Sequence, residues 1–194
     1  MRVYRVKTDS NNFNRLYPIE RGDKAALRSD GSSRAQVWFP PTVVLAGKAS
    51  VPLGDFVSPE RCSLITSPRA TAALLQVLEM AGELLPLPFE GAEYTFTNVT
   101  NVVDCYDEPN SEPVFNVYAI DPEPLRKTRS SLFKVLQTSH IEILSVTGLF
   151  APEDDFMTIV EQQALAGLRP ILLWSDEPDI QPWRIMHGPG RKSG

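Results

Sequence analysis

The sequence lacks the features that mark several large classes of protein. No apolar run approaches the roughly 18–20 residues that a membrane-spanning helix needs. The opening segment MRVYRVKTDS has no hydrophobic stretch typical of a signal peptide. These absences predict a cytoplasmic protein that does not associate with a membrane.

Cysteine, histidine and basic residues are also scarce. The 194 residues include two cysteines and two histidines. Cys62 and Cys105 form no CxxC pair and no zinc-like spacing, so we expect two free thiols that are at least partly buried. The net charge of −5 argues against nucleic acid as a partner. The same acidic balance suits a basic protein partner, because opposite charges steer the encounter.

The motifs of common enzymes are missing as well. The chain has no GxxxxGK[ST] or GxGxxG loop, and Ser145 lacks the glycines of a GxSxG nucleophile elbow. Cys105 is a candidate nucleophile with His140 or His187 as its base, but nothing in the sequence places either histidine near the thiol. We therefore predict that the protein is not an enzyme and that it uses no metal and no cofactor.

The composition is that of a globular domain with many stiff corners. Hydrophobic residues make up 42% of the chain and charged residues 22%, which is enough to bury a core. The 17 prolines gather at apparent element boundaries and predict short elements. We expect residues 1–50 to be a strand and loop region of the same domain, residues 51–180 to form the core, and residues 181–194 to be a flexible tail.

Two helices are predicted, at about residues 67–81 and 152–166. Ser67 is a good N-cap, Pro68 suits the first helical position, and Gly82 suits the stop. The segment between them has apolar residues at three- and four-residue spacing. Pro152 is expected to begin the second helix, where the following acidic residues favour the helix dipole.

Short strands fill most of the remaining chain. The segment Glu93–Val103 is rich in Thr, Val and aromatic residues, and we expect it to pair antiparallel with Pro113–Ile120. Residues 8–35 show no sustained period and are predicted to be a long loop with a short helix near residues 23–27. The other predicted strands are 2–6, one or two within 36–47, 62–66, 131–136, 141–147 and a buried 169–174. The pattern indicates an α+β fold with a mixed, mainly antiparallel sheet and two principal helices.

The segment DCYDEPNSE lies between two predicted strands and is the most polar candidate site. It has neither the glycine nor the spacing of a calcium-binding loop. Asp, Asn and Ser side chains commonly accept backbone N–H bonds in turns. We therefore predict that Asp104, Asp107 and Ser111 shape a corner, which leaves Tyr106 and Glu108 free to face a partner.

Acidic loops, aromatic residues and arginines are the candidate contacts for a protein partner. Paired carboxylates on short loops offer negative charge, and aromatic and Arg side chains dominate binding hot spots. Trp38 is a further candidate anchor. The predicted partner-binding residues are Tyr106, Asp107, Glu108, Asp176, Glu177, Trp183 and Arg184.

Residues 53–174 resemble a family of bacterial polymorphic-toxin immunity proteins. The stretch LGDFV is similar to an aspartate–aromatic step of that family, and LITSPRATAALLQVLEMAG resembles its strand and Ser-capped helix. The segment YTFTNVTNVVDCYDEPNSE resembles its NVxNVVD strand, and GLRPILLW resembles its ending. Cys105, Tyr106 and Pro170 depart from the pattern. The matching polar positions, with an implied structural role, are Asn98, Asn101, Asp104 and Ser111.

The resemblance implies an immunity protein that neutralises a cognate toxin by tight binding, without chemistry of its own. Two alternatives stay open. One is a small enzyme that uses Cys105 with a histidine, which requires a thiol of lowered pKa. The other is a small-molecule sensor, which requires a substantial apolar pocket with a few polar groups.

Overall fold

The computed structural model describes residues 1–47, 50–111, 119–177 and 180. Over these residues the chain has an α+β fold with ten strands, two principal helices and one short helix. The strands are β1 (Arg2–Arg5), β2 (Arg15–Pro18), β3 (Val43–Ala46), β4 (Ile65–Thr66), β5 (Gly82–Phe89), β6 (Ala92–Val99), β7 (Val102–Val103), β8 (Leu132–Val135), β9 (Leu144–Thr147) and β10 (Ile171–Ser175). The helices are α1 (Pro68–Ala81), α2 (Pro122–Leu125) and α3 (Phe156–Gln162). The predicted fold class is confirmed.

The larger sheet contains five strands in the order β10-β1-β9-β8-β7. All neighbours are antiparallel except β7 and β8, which run parallel. The predicted strands at 2–6, 131–136 and 141–147 are therefore confirmed as β1, β8 and β9. The last predicted strand is also present as β10, but it lies at the sheet edge and is only partly buried.

The smaller sheet has the order β4-β6-β5, and β2 and β3 form a separate hairpin. The strand predicted at 93–103 is thus two strands, β6 and β7, and β6 pairs with β4 and β5. Within the described residues, β6 does not pair with the segment 113–120. The described end of that segment instead pairs antiparallel with the chain just after β7, where Tyr106 bridges Ile120. Most of that predicted partner strand, residues 113–118, lies outside the described residues.

Strand β5 was not predicted, because Pro86 and Pro88 interrupt it. Proline lacks the N–H that a central strand must donate, so it is tolerated only where that side of the backbone has no partner strand. Strand β5 is the edge of its sheet. The Pro86 carbonyl accepts a hydrogen bond from Trp38 Nε1 at 3.0 Å, so the proline's hydrogen-bonding side faces away from β6.

Helix α1 follows the sequence signals. The Ser67 side chain accepts a hydrogen bond from the Ala70 backbone N–H at 3.1 Å, and Pro68 is in the first turn. Gly82 ends the helix in an extended conformation that leads directly into β5. A Cβ atom at Gly82 would lie 2.0 Å from the Asn98 carbonyl oxygen, so only glycine permits this close approach of β5 to β6.

The second predicted helix is shorter than expected. Pro152–Asp154 form a 3-10 turn, and α3 begins at Phe156. Asp155 has extended backbone angles and accepts a hydrogen bond from the Thr158 N–H at 3.0 Å, so it is the N-cap rather than a residue of the first turn. The helix ends at Gln162, and the left-handed conformation of Ala164, with φ of 46°, prevents its continuation to Gly167.

The prediction of a long loop at residues 8–35 is wrong in part. Strand β2 lies within these residues and pairs with β3. The short helix expected near residues 23–27 is a 3-10 turn at Arg21–Ala25. Leu16 and Leu27 from this region are fully buried against the smaller sheet. Their apolar side chains are too widely spaced to give a periodic signal, although they anchor the whole segment.

The buried residues form three apolar clusters that sandwich the sheets. One cluster joins α1 and α3 to one face of the larger sheet, and a second covers the opposite face. The third lies between the smaller sheet and the β2–β3 hairpin. Among the described residues, no helix has the length and apolar character to cross a bilayer.

Candidate functional site

The Asp104–Ser111 corner follows β7, and its backbone is held by its own side chains. Ser111 Oγ donates to the Asp107 carbonyl at 2.7 Å and accepts from the Ala119 N–H at 2.9 Å. The Asp107 carboxylate accepts a hydrogen bond from the Asn110 side chain. Asp104 is exposed and accepts one from Gln137. Within this corner Glu108 is exposed, whereas Tyr106 is half-buried and packs against the second cluster.

The two asparagines of the NVxNVVD-like segment bind backbone and are buried. Asn101 Nδ2 donates to the Leu132 carbonyl at 2.8 Å and to Thr128 Oγ1 at 2.9 Å, which fixes β8 beside β7. Asn98 Nδ2 donates to the Ser32 carbonyl and to the Glu83 carboxylate. Both side chains therefore join distant segments, and neither is available to a partner.

The second predicted acidic site lies at the opposite end of the larger sheet. Asp176 and Glu177 follow β10, whose end lies beside Arg2 and Thr147. The corner follows β7, which runs antiparallel to β9 and ends at the far side. Asp176 pairs with the Met1 amino group and Glu177 with Arg2. The predicted contacts at Trp183 and Arg184, and the predicted tail at 181–194, lie outside the described residues.

The environment of Cys105 is the opposite of what a nucleophilic thiol needs. Its side chain is buried in the second apolar cluster. Burial, followed by the negative charges of Asp104 and Asp121, raises the pKa of the Cys105 thiol to about 12. His140 instead lines a cleft beside Cys62, and His187 lies outside the described residues.

In the described part of the chain, no group of three or more His, Cys, Asp or Glu side chains is arranged to hold a metal ion. The cleft beside Cys62 has a volume of about 630 Å³, and its lining is mainly polar and charged. It therefore differs from the apolar pocket that the sensor alternative requires.

An exposed apolar surface lies on the connection that precedes β3 and was not predicted. Phe39 is 85% exposed and Val37 is 82% exposed. Ile19 and Val44, on the adjoining hairpin, are exposed too, and they share one face because Tyr17 pairs with Val44 and Ile19 bonds to Thr42. We call Ile19, Val37, Phe39 and Val44 the apolar surface.

The segment that carries Val37 and Phe39 is held firmly to the smaller sheet. Trp38 stacks on Phe96 with ring centroids 5.4 Å apart, and its Nε1 bonds to Pro86 as described above. Trp38 was a predicted partner anchor, but its ring packs internally. Its fixed backbone turns the side chains on either side, Val37 and Phe39, towards solvent.

Glu83 fixes the same segment from its other end. Its carboxylate accepts hydrogen bonds from the backbone N–H groups of Arg34 at 2.7 Å and Ala35 at 3.2 Å, from Asn98 Nδ2 at 2.7 Å and from the Ser33 hydroxyl. Partial burial by itself would raise the pKa of Glu83. The hydrogen bonds outweigh it and lower the pKa to about 2.

The comparisons with known proteins give no family for this chain. No family model matches it, and a search of curated proteins returned no match.

Proposed function

We propose that the protein is a non-catalytic immunity protein, which binds a cognate toxin domain and blocks it through surface complementarity. The observation that carries the proposal is the apolar surface, where Phe39 and Val37 are over four-fifths exposed on a segment held by Trp38 and Glu83. Several large apolar side chains that are exposed on neighbouring segments are a candidate surface for contact with a protein partner. The resemblance of residues 53–174 to toxin-immunity proteins supplies the class of partner.

The segment's fixed backbone favours tight binding for a thermodynamic reason. Burial of one Phe side chain contributes about 1.5–3 kcal/mol. Part of such a gain is normally lost when a mobile loop becomes ordered on binding. Here the hydrogen bonds to Glu83 and the stacking of Trp38 order the segment before the partner arrives. We infer that the toxin presents an apolar recess that receives Phe39.

The charge of the chain suits a basic toxin. Net charge of −5 attracts a cationic partner and raises the rate of association. Asp107 and Glu108 on the corner, next to Tyr106, are proposed as contacts in this encounter. Asp176 and Glu177 are at the other end of the larger sheet, so we propose them as contacts for a separate part of the partner.

The proposal is tested with the polypeptide encoded beside this gene. The two proteins are co-expressed in bacteria, growth is scored, and their Kd is measured by isothermal titration calorimetry. We expect the wild-type protein to restore growth and to bind the toxin. Substitution Phe39→Ala is expected to weaken binding about 10- to 100-fold, which corresponds to the loss of one buried Phe side chain.

The matched control is Leu75→Ala, which removes an exposed apolar side chain from α1, away from the apolar surface. We expect it to bind as tightly as the wild type. Unchanged toxin affinity of the Phe39→Ala variant would reject the apolar surface as the binding site. A wild-type protein that neither binds the toxin nor restores growth would reject the function itself.

A further inference from the structure

A cleft of about 630 Å³ concentrates basic side chains on this acidic protein. Its walls come from the segment after β1, the start of β2, the segment around Arg28, the loop before β4 and the turn between β8 and β9. The positively charged or titratable basic side chains in the lining are Lys7, Arg15, Arg28, Arg61 and His140, and the lining has a single carboxylate, Glu60. We call this site the basic cleft.

Most of the positive charge in the basic cleft is not neutralised within the protein. Arg28 binds both oxygens of the Glu60 carboxylate, at 2.7 and 3.1 Å, so this pair is neutral. Arg15 makes one long contact to the Pro59 carbonyl, at 3.5 Å, and lies over the Tyr17 ring. The side chains of Lys7 and Arg61 form no hydrogen bond and no ion pair with any described residue.

A buried lysine adds charge from beneath the basic cleft. Lys134 is fully buried, and its Nζ donates to the carbonyls of Ser139 and Glu142, at 2.7 and 3.0 Å. These carbonyls flank the two residues of the turn that line the cleft. Burial lowers the pKa of Lys134 to about 8, so its ammonium group remains mostly protonated at neutral pH. The Glu142 carboxylate pairs with Arg5 instead.

We propose that the basic cleft binds a small organic ligand that carries two or more phosphate groups. The Arg61 guanidinium can bind a phosphate through two parallel hydrogen bonds, and Lys7 and Arg15 supply further charge. The hydroxyls of Ser10 and Ser58, also in the lining, are suitable donors to the same group. The volume lies within the range of about 300–1,000 Å³ that is usual for small-molecule sites.

The shape of the charge distribution favours a compact ligand over a nucleic acid. Nucleic acids need cations spread along a face, because their phosphates are regularly spaced over an extended length. Here the unpaired cations meet in one concave site on a chain of net charge −5. The basic cleft shares no residue with the apolar surface, so this proposal stands independently of the proposed function.

The test is calorimetric titration of the full chain with AMP, ADP, ATP and pyrophosphate at about physiological salt, near 0.15 M. We expect affinity to rise from AMP to ATP and pyrophosphate to compete with ATP. The double variant Lys7→Gln with Arg61→Gln is expected to lose at least about tenfold in ATP affinity, since charge-assisted hydrogen bonds to phosphate are among the stronger kind. Unfolding midpoints of all variants are measured alongside to verify folding.

The matched control is Lys127→Gln with Arg129→Gln, two exposed cations outside the basic cleft. This control makes the same change in net charge, and we expect it to bind ATP like the wild type. If both double variants lose ATP affinity equally, the loss comes from the change in net charge and the proposal is overturned. Absence of ATP binding at millimolar concentration would also overturn it, as would a hexaglutamate peptide that binds as tightly as ATP.

Discussion

Removal of the negative charge at Glu83 is expected to destabilise the protein in a pH-dependent way. In Glu83→Gln, an amide replaces the carboxylate that accepts hydrogen bonds from two backbone N–H groups, Ser33 and Asn98. The amide has one acceptor oxygen where the carboxylate has two, and its NH₂ group faces hydrogen-bond donors, with which it cannot form a hydrogen bond. The segment that carries Phe39 should therefore lose its fixed conformation at one end.

The magnitude follows from the shift in pKa. The pKa falls from 4.5 to about 2, and each unit corresponds to about 1.4 kcal/mol. Glu83 is half-buried, and screening by water reduces the total to about 2 kcal/mol at pH 7. A carboxyl of depressed pKa stabilises the fold above its unfolded pKa, and that contribution disappears as the pH falls from 4.5 towards 2.

Urea unfolding, followed by tryptophan fluorescence between pH 7 and pH 2.5, measures this difference directly. We expect wild type and Glu83→Gln to differ by about 2 kcal/mol at pH 7 and to converge near pH 2. The matched control is Glu79→Gln, an exposed carboxyl on α1 with no hydrogen bond to a described residue. A stability difference between wild type and Glu83→Gln that stays constant over this pH range would refute the electrostatic reasoning. So would a Glu83→Gln variant that is as stable as Glu79→Gln.

Two further variants probe buried groups. The pKa of Cys105 is about 12 in the folded protein and 9.0 for an ordinary thiol, so wild-type stability should fall as the pH rises from 9 to 12. Chemical unfolding at pH 11 should show that the wild type has lost about 2–3 kcal/mol of unfolding free energy that Cys105→Ala does not lose. If both proteins lose the same amount as the pH rises, the environment assigned to Cys105 is wrong. The Asp55 carboxylate accepts hydrogen bonds from Ser67, Arg69 and the Ala166 N–H, so Asp55→Asn should lower the free energy of unfolding by about 2–4 kcal/mol. The control Asp104→Asn, at an exposed carboxylate, should lower it by less than about 0.5 kcal/mol. Equal losses of stability in Asp55→Asn and Asp104→Asn would show that the buried Asp55 carboxylate does not stabilise the fold.

Local signals in the sequence were sufficient where the physics is local. Helix α1 was predictable because its cap residue, its first-turn proline and its terminal glycine act within a few residues of one another. Strands β8 and β9 were predictable because both are short apolar runs between turns. Asp155, by contrast, was placed inside a helix, since a capping aspartate and a first-turn aspartate look alike in sequence.

The two proposed binding surfaces were not predictable for a different reason. Phe39 looks like a core residue, and its exposure is decided by Trp38, which packs on Phe96 from a distant strand. The cations of the basic cleft come from segments that share no sequence motif. Overall composition gave the acidic balance correctly but could not reveal a local reversal of sign, because only the tertiary structure brings Lys7, Arg15 and Arg61 together.

The position of β1 constrains how the protein is made. Strand β1 leaves the ribosome before β9 and β10, the two strands with which it pairs, and the buried partner of Arg5 is Glu142, 137 positions further along the chain. Until those late segments emerge, β1 has no strand to pair with, and an unpaired edge of this kind favours aggregation. Synthesis that stops before β10 should therefore give insoluble fragments rather than a smaller working protein.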